Sequence, residues 1–167
     1  MKTHTETRQI LALLERAFAH NTAMGELQGV DALMEQLRLY SQCFGRPMLQ
    51  LQCVESVTPG VMTAVAKLSL TMSEVTLQHV FPHLAESTDD ADDRSELYQR
   101  LLGQRLDCSS SMTFLFDEGS GRVVRLETCV DVVTPLLRVL GNVKDVLDVL
   151  EHSRMTAECT ISGPTRQ

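Results

Sequence analysis

Cations are in short supply: fifteen Lys and Arg against twenty-two Asp and Glu leave a formal net charge of −7 at pH 7, the wrong sign for a surface whose main task is neutralising phosphates. A self-sufficient nucleic-acid-binding domain is therefore not expected. Long apolar runs are missing too. Even a stretch as apolar as Val130 to Leu140 is interrupted by Asp131, Thr134, Pro135 and Arg138, whereas a membrane-spanning helix needs about 18 uninterrupted apolar residues. The opening residues, Met1 to Arg8, run into a segment carrying Glu15 and Arg16, which does not suit the uncharged core of a secretory leader. An intracellular protein is expected. A disulfide framework is lacking as well, because Cys43, Cys53, Cys108, Cys129 and Cys159 are odd in number and widely spaced, a pattern that fits reduced thiols packed as small hydrophobes.

What the chain does have is apolar material. With 43% apolar residues in 167, one compact domain spanning 1–167 is the natural reading, with flexible ends at 1–8 and 156–167. From Ile10 to Phe18 apolar residues recur at helical steps, and this helix is expected to end near Asn21 to Gly25. A second stripe, Val30, Leu33, Met34, Leu37, Tyr40 and Phe44, has the same period, and Gly45-Arg46-Pro47 stops it.

The period then falls to two. Leu49, Leu51 and Cys53 predict a half-buried strand, and after the turn Thr58-Pro59-Gly60 a second, longer strand puts Met62, Ala64, Ala66, Leu68, Leu70 and Met72 on one face. Val65 is the apolar exception on the other face. Val75 to Leu84 reads as either an extended strand or a short helix broken by Pro82. Residues 86–95, rich in carboxylates, read as a solvated acidic loop. Leu101 to Phe116 and Arg122 to Val130 form a hairpin across Asp117-Glu118-Gly119-Ser120-Gly121, with Leu115 and Val123 apolar on the outward face. Pro135 opens a helix that ends at Gly141, and Val143, Val146, Leu147 and Leu150 mark a last helix. The class is α+β: N-terminal helices on a curved, mainly antiparallel sheet, with one or two C-terminal helices.

Three runs carry a resemblance: Thr76–Leu84 (TLQHVFPHL), Leu101–Leu106 (LLGQRL) and Gly121–Cys159 (GRVVRLETCVDVVTPLLRVLGNVKDVLDVLEHSRMTAEC). With the element order, they resemble an NTF2-like or SnoaL-like cone fold, in particular the domain that follows the basic leucine zipper in oomycete bZIP transcription factors. The similarity extends from about Gly29 to Cys159 and is weaker before that. The resemblance implies a nuclear transcription-regulatory protein whose cone serves dimerisation or small-molecule sensing, and a cytoplasmic location is the alternative expectation. One departure matters: no basic helix and no leucine heptads occur in this sequence. Direct DNA recognition therefore does not carry over, and the chain reads as the accessory domain without the zipper.

Candidate chemistry is sparse. His79 and His83 are four apart, but Pro82 lies between them and no Glu follows His79, so turn-packing histidines are favoured over a metal site. Asp89, Asp90, Asp92 and Asp93 lack the glycine and terminal glutamate of a calcium loop. Enzymes of the cone fold pair a base with a hydroxyl in the cavity, and Tyr40, His79 and Asp131 are the possible members. Tyr40 reads first as a core tyrosine with its hydroxyl at the rim, and Asp131 equally as a cap on the next helix. No catalytic residue, metal or cofactor is assigned. Phe18, Tyr40, Phe44, Leu68, Leu70, Met112, Phe114 and Phe116 could line a cavity for a small hydrophobic ligand or simply fill it. Val65, Leu115 and Val123 could form a dimer face on the outside of the sheet. The leading expectation is a non-catalytic accessory module whose partner is a second copy or a related regulator. The alternatives are a sensor using the cone interior and an isomerase- or dehydratase-like enzyme.

Overall fold

The computed structural model describes residues 4–86, 91–156 and 159–162. Helix α1, His4–Ala17, ends earlier than its apolar pattern suggests. The chain passes directly into strand β1, Phe18–Met24, which turns back at Gly25 (φ 57°) into the two-residue strand β2, Leu27–Gln28. Helix α2, Val30–Cys43, forms where the stripe predicts, but it buries Val30, Leu33, Leu39 and Cys43, while Leu37 of the expected stripe stays 50% exposed. Strands β3 (Gly45–Thr58) and β4 (Val61–Thr71) form a long antiparallel hairpin, with β3 extending well beyond the six-residue alternation visible in sequence.

The ambiguous stretch after β4 is helical. Ser73 caps it, its hydroxyl accepting from the Thr76 amide at 3.2 Å while its own amide donates to Thr76 Oγ1 at 3.0 Å. This gives α3, Glu74–His79. Pro82 does not break a strand but opens α4, Pro82–Ala85, where its missing N–H costs nothing. Of the expected acidic loop at 86–95, residues 91–95 belong instead to α5, Ala91–Leu101, and residues 87–90 lie outside the described residues. Strands β5 (Arg105–Phe116) and β6 (Val123–Val130) make the predicted hairpin. Helices α6 (Val133–Leu140) and α7 (Val143–Leu150) are separated by Gly141, left-handed at φ 81°, and Asn142, whose side chain accepts from the Asp145 amide at 2.9 Å.

The strands form one curved six-stranded sheet in the order β2-β1-β6-β5-β4-β3. All neighbours are antiparallel except β1 and β6. Its inner face carries Ala64, Ala66 and Leu70 of β4, Met72 just past its end, and Leu106, Cys108 and Ser110 of β5, all buried. These residues, with the ends of α2 and the helices α3 to α7, enclose the main core, in which Leu70, Met72, Leu77, Leu101, Leu136 and Leu140 are fully buried. Each such side chain contributes about 1.5–3 kcal/mol of transfer free energy. A smaller cluster, Met24, Leu33 and Leu126, holds α2 on the other end of the sheet.

Three expectations are corrected here. Val123 does not face outward. The register between β5 and β6 shifts between Leu115, opposite Arg125, and Phe116, opposite Val123, so Val124 is an extra residue. That bulge returns Val123 to the inner face, where it is 3% exposed. The C-terminal tail, expected to be flexible from residue 156, is docked at 159–162: Ile161 is buried in the main core and bridges Met155. Likewise residues 4–8 belong to α1 rather than to a loose end.

Candidate functional site

Between the two clusters the cone stays open. A cavity of about 400 Å³ is bounded by α1 (Leu14), β1 (Phe18, Met24), α2 (Leu33, Leu37, Tyr40), the start of β3 (Pro47, Leu49) and the inner faces of β4 to β6 (Leu68, Ser110, Met112, Leu126, Thr128, Val130). Its C-terminal wall is made by Cys159 and Thr160. That wall is fixed by polar contacts with α2. The Tyr40 hydroxyl donates to the Cys159 carbonyl at 2.5 Å, and the Gln36 amide donates to the Ile161 carbonyl at 3.1 Å while accepting from the Ile161 amide at 2.9 Å.

Of the eight residues expected to line a cavity, the fold brings Phe18, Tyr40, Leu68 and Met112 to it. Phe44 and Leu70 are consumed by the main core, Phe44 stacking obliquely on Tyr40 with centroids 5.6 Å apart. Phe114 packs against the smaller cluster, and Phe116 lies half-buried further along β5. The alternation of β5 and β6 already pointed to Ser110, Leu126 and Thr128, which share the inner face with Met112. Nothing in the sequence signalled Cys159 and Thr160.

Among the described residues lining the cavity, no carboxylate, imidazole, amine or guanidinium occurs. Its titratable groups are the Tyr40 phenol and the Cys159 thiol, and burial pushes both above their ordinary values, so both stay protonated near neutrality. Proton abstraction beside a carbonyl requires a base, and this lining does not supply one. The other suggested members sit elsewhere. His79 is exposed on α3. Asp131 braces the first turn of α6, accepting from the Thr134 amide at 3.1 Å and the Thr134 hydroxyl at 2.5 Å, and these bonds hold its carboxyl below the usual range. The capping role accounts for it.

His83 packs at the mouth of a second, polar cleft with Arg94, Lys144, Asp148, Glu151 and His152. Its Nε2 donates to the Asp148 carbonyl at 2.9 Å, and its ring meets His152 edge-on at 5.6 Å. Among the described residues no group of three or more His, Cys, Asp or Glu is placed to hold a metal ion. Asp89 and Asp90 lie outside the described residues, as does the side chain of Asp92. No described helix is long and apolar enough to cross a membrane.

The architecture is that of the NTF2-like or SnoaL-like cone. It superposes on a SnoaL-like polyketide cyclase from Agrobacterium tumefaciens with a TM-score of 0.55 at 13% identity, covering 84% of this chain and all (100%) of that one. Against TsrD from Streptomyces laurentii the TM-score is 0.52 at 12% identity, covering 85% and 100%. At such identities the likeness is one of fold. Sequence likeness points to a different class of protein. Residues 1–43 match the model of the bZIP transcription factor 1 C-terminal domain. A 42-residue stretch is 64% identical to bZIP transcription factor 1 of Phytophthora infestans, which is 25% of this chain and 18% of that protein. The match spans α1 to α2, so its first 28 residues fall where the resemblance is weaker and residues 29–43 fall within it, whereas the three runs that carry the resemblance lie outside residues 1–43. The first two helices therefore carry the likeness that the sequence reading sought further along.

Proposed function

We propose that this chain is a non-catalytic accessory domain of a bZIP-type transcription regulator, acting in the nucleus and joining a second copy or a related regulator without contacting DNA itself. The match of residues 1–43 to the C-terminal domain of bZIP transcription factor 1 carries the reading. The acidic balance, −7 overall, supports the part of the reading that leaves DNA uncontacted. Association would use the sheet, whose outer face keeps Val65 and Leu115 half-buried among Thr63, Lys67, Asp107 and Arg125. Sedimentation equilibrium of the full chain tests this: twice the 18.6 kDa monomer mass is expected, together with no saturable binding to duplex DNA by fluorescence anisotropy. A monomer at all attainable concentrations removes the proposal.

The open cone favours a second reading, a sensor for a small hydrophobic ligand. The apolar walls would bury the ligand, with Ser110 and Thr128 as the polar groups on the sheet side. A ligand that binds only the folded state stabilises it by about 2.7 kcal/mol at a hundred times its dissociation constant. A thermal-shift screen with hydrophobic metabolites should therefore produce hits, and Met112→Trp, which fills the cavity, should abolish them. A screen without hits removes this reading.

A further inference from the structure

The two edges of the sheet are treated very differently. One is closed by β2, only two residues long, whereas the other is β3, a 14-residue strand in which every residue from Arg46 to Thr58 is exposed. Natural edge strands are normally short, covered or charged, because their free N–H and C=O groups template pairing with another chain. β3 is neither short nor covered, and what interrupts it is Pro47 and three register shifts rather than a run of charge. It carries one cation, Arg46, and one anion, Glu55, so it is locally neutral in a chain of net charge −7. Apolar residues stand exposed on both its faces: Leu49 (53%), Leu51 (60%) and Val54 (49%) on the inner face, opposite Leu68, Ala66 and Ala64 of β4, and Met48 on the outer face, opposite Ser69.

The strand is complementary to itself. Its register against β4 shifts between Leu51 and Cys53, so Gln52 is an extra, bulged residue and the facing pattern changes parity there. An antiparallel pairing of two β3 strands about a two-fold axis at Gln50 then matches face with face over residues 48–53, and it brings Arg46, which lies in a second register shift between Gly45 and Met48, to the end of the partner strand that carries Glu55. Gln50 meets Gln50 of the partner subunit, Leu49 meets the partner's Leu51, Met48 meets the partner's Cys53, Pro47 meets the partner's Val54, and Arg46 meets the partner's Glu55. Apolar side chains oppose apolar ones, amide opposes amide, and the two charges of the strand form two ion pairs. A register slipped by one residue would put inner-face leucines against outer-face residues and lose both charge pairs. Pro47, which has no N–H to donate, and the bulge at Gln52 each forgo ladder bonds, so the flanking Pro47–Val54 and Arg46–Glu55 pairs contribute through their side chains.

We propose that two copies of this chain associate edge to edge through β3, forming a continuous twelve-stranded sheet with its two-fold axis at Gln50. The inference rests on the reading above only in that the chain joins a second copy, and it assigns that association to the edge of the sheet rather than to its outer face. Because the pairing consumes the long edge of each copy, it closes at two and does not propagate.

The test uses the full chain. Under a mild oxidant, Met48→Cys in a Cys129→Ser background should give a disulfide-linked dimer through the native Cys53. Cys129→Ser alone should not, because in this register the two native Cys53 residues stand about 14 Å apart along the strands. In sedimentation equilibrium Glu55→Arg should weaken the dimer roughly tenfold or more by placing like charges opposite each other, and Arg46→Glu combined with Glu55→Arg should restore it. These side chains are exposed, so circular dichroism should report an unchanged fold. A dimer broken by Leu115→Glu but indifferent to Glu55→Arg, with no Met48→Cys cross-link, overturns the edge pairing and leaves the proposed function standing. A monomer without cross-link overturns both.

Discussion

Tyr40 on α2 donates its hydroxyl to the carbonyl of Cys159, 2.5 Å away and 119 residues later in the chain, so one hydrogen bond fastens the C-terminal segment across the mouth of the cone. Gln36, one turn earlier on the same helix, holds Ile161 by both its amide and its carbonyl. Tyr40→Phe leaves the Cys159 carbonyl without its donor at a partly buried site and should cost about 1–3 kcal/mol. Hydrogen exchange should quicken at Ile161 and leave β4 and β5 unaffected. Unaltered exchange at Ile161 would mean that the segment is held by its apolar anchor alone. Burial keeps the phenol neutral, so this bond is insensitive to pH across the neutral range.

The bulge at Val124 makes a sharper prediction about the sheet. Val65 and Val123 look alike in sequence, both apolar among polar neighbours, yet the shifted register sends Val123 inward, to 3% exposure, and leaves Val65 on the outer face. Val123→Asp would bury an unpaired charge and should cost about 3–5 kcal/mol, whereas Val65→Asp should cost less than about 1 kcal/mol in the monomer. Urea denaturation of the two variants separates these outcomes, and equal losses would refute the assigned faces.

Regular alternation is what made the sheet legible. β4 and β5 contact helices on one face, so selection for burial writes a period of two into residues 62–72 and 112–116, and the hairpin glycines mark the turn. Where alternation fails, the sequence carries little of the sheet. β3 is uncovered on both faces and shifts register three times, which erases the contrast over most of its length. β1 (FAHNTAM) has no alternation and is held by parallel pairing to a strand a hundred residues away, information no local window contains. The cavity was legible to the extent that its walls are regular elements. Phe44 and Leu70 were misplaced because the same apolar stripes supply both the packed core and the open cone, and only the taper between helices and sheet separates the two.

The five cysteines divide in a way that the reading of all five as packed hydrophobes does not anticipate. Cys53 and Cys129 are exposed on β3 and β6, Cys43 and Cys108 are buried, and Cys159 is intermediate. Burial, helped by the nearby Asp131 and Asp107 carboxylates, pushes the Cys108 thiol up to about 11, and the thiolate is the reactive form. At pH 8 a thiol reagent should therefore titrate Cys53 and Cys129 quickly in the native protein. Cys108 should react at least ~100-fold more slowly, becoming accessible only in denaturant. Mass spectrometry of the labelled peptides checks the order, and rapid native labelling of Cys108 would contradict the packing of β5 against the helices.

His83 provides the pH dependence. The Asp148 carbonyl can only accept, so Nε2 carries the proton of the neutral ring, and Nδ1 is buried without a partner. Protonation would place a charge on that buried nitrogen. Desolvation opposes it most, and the neighbouring His152 and Arg94 add to the opposition, so the His83 pKa falls below its ordinary 6.5 even though the Asp148 carbonyl pulls the other way. The unfolded chain then binds a proton more readily than the folded one. Stability from this group is therefore complete above about pH 6.5 and is lost as the pH falls from 6.5 to the lower folded-state pKa. Denaturant unfolding followed from pH 7.5 to pH 5 should show this decline, and His83→Gln should flatten it while leaving the carboxylate-driven loss below pH 4.5 in place. Stability that instead rises on acidification through pH 6 would require His83 to be stabilised as the cation, and the buried, unpartnered Nδ1 offers no group to do that.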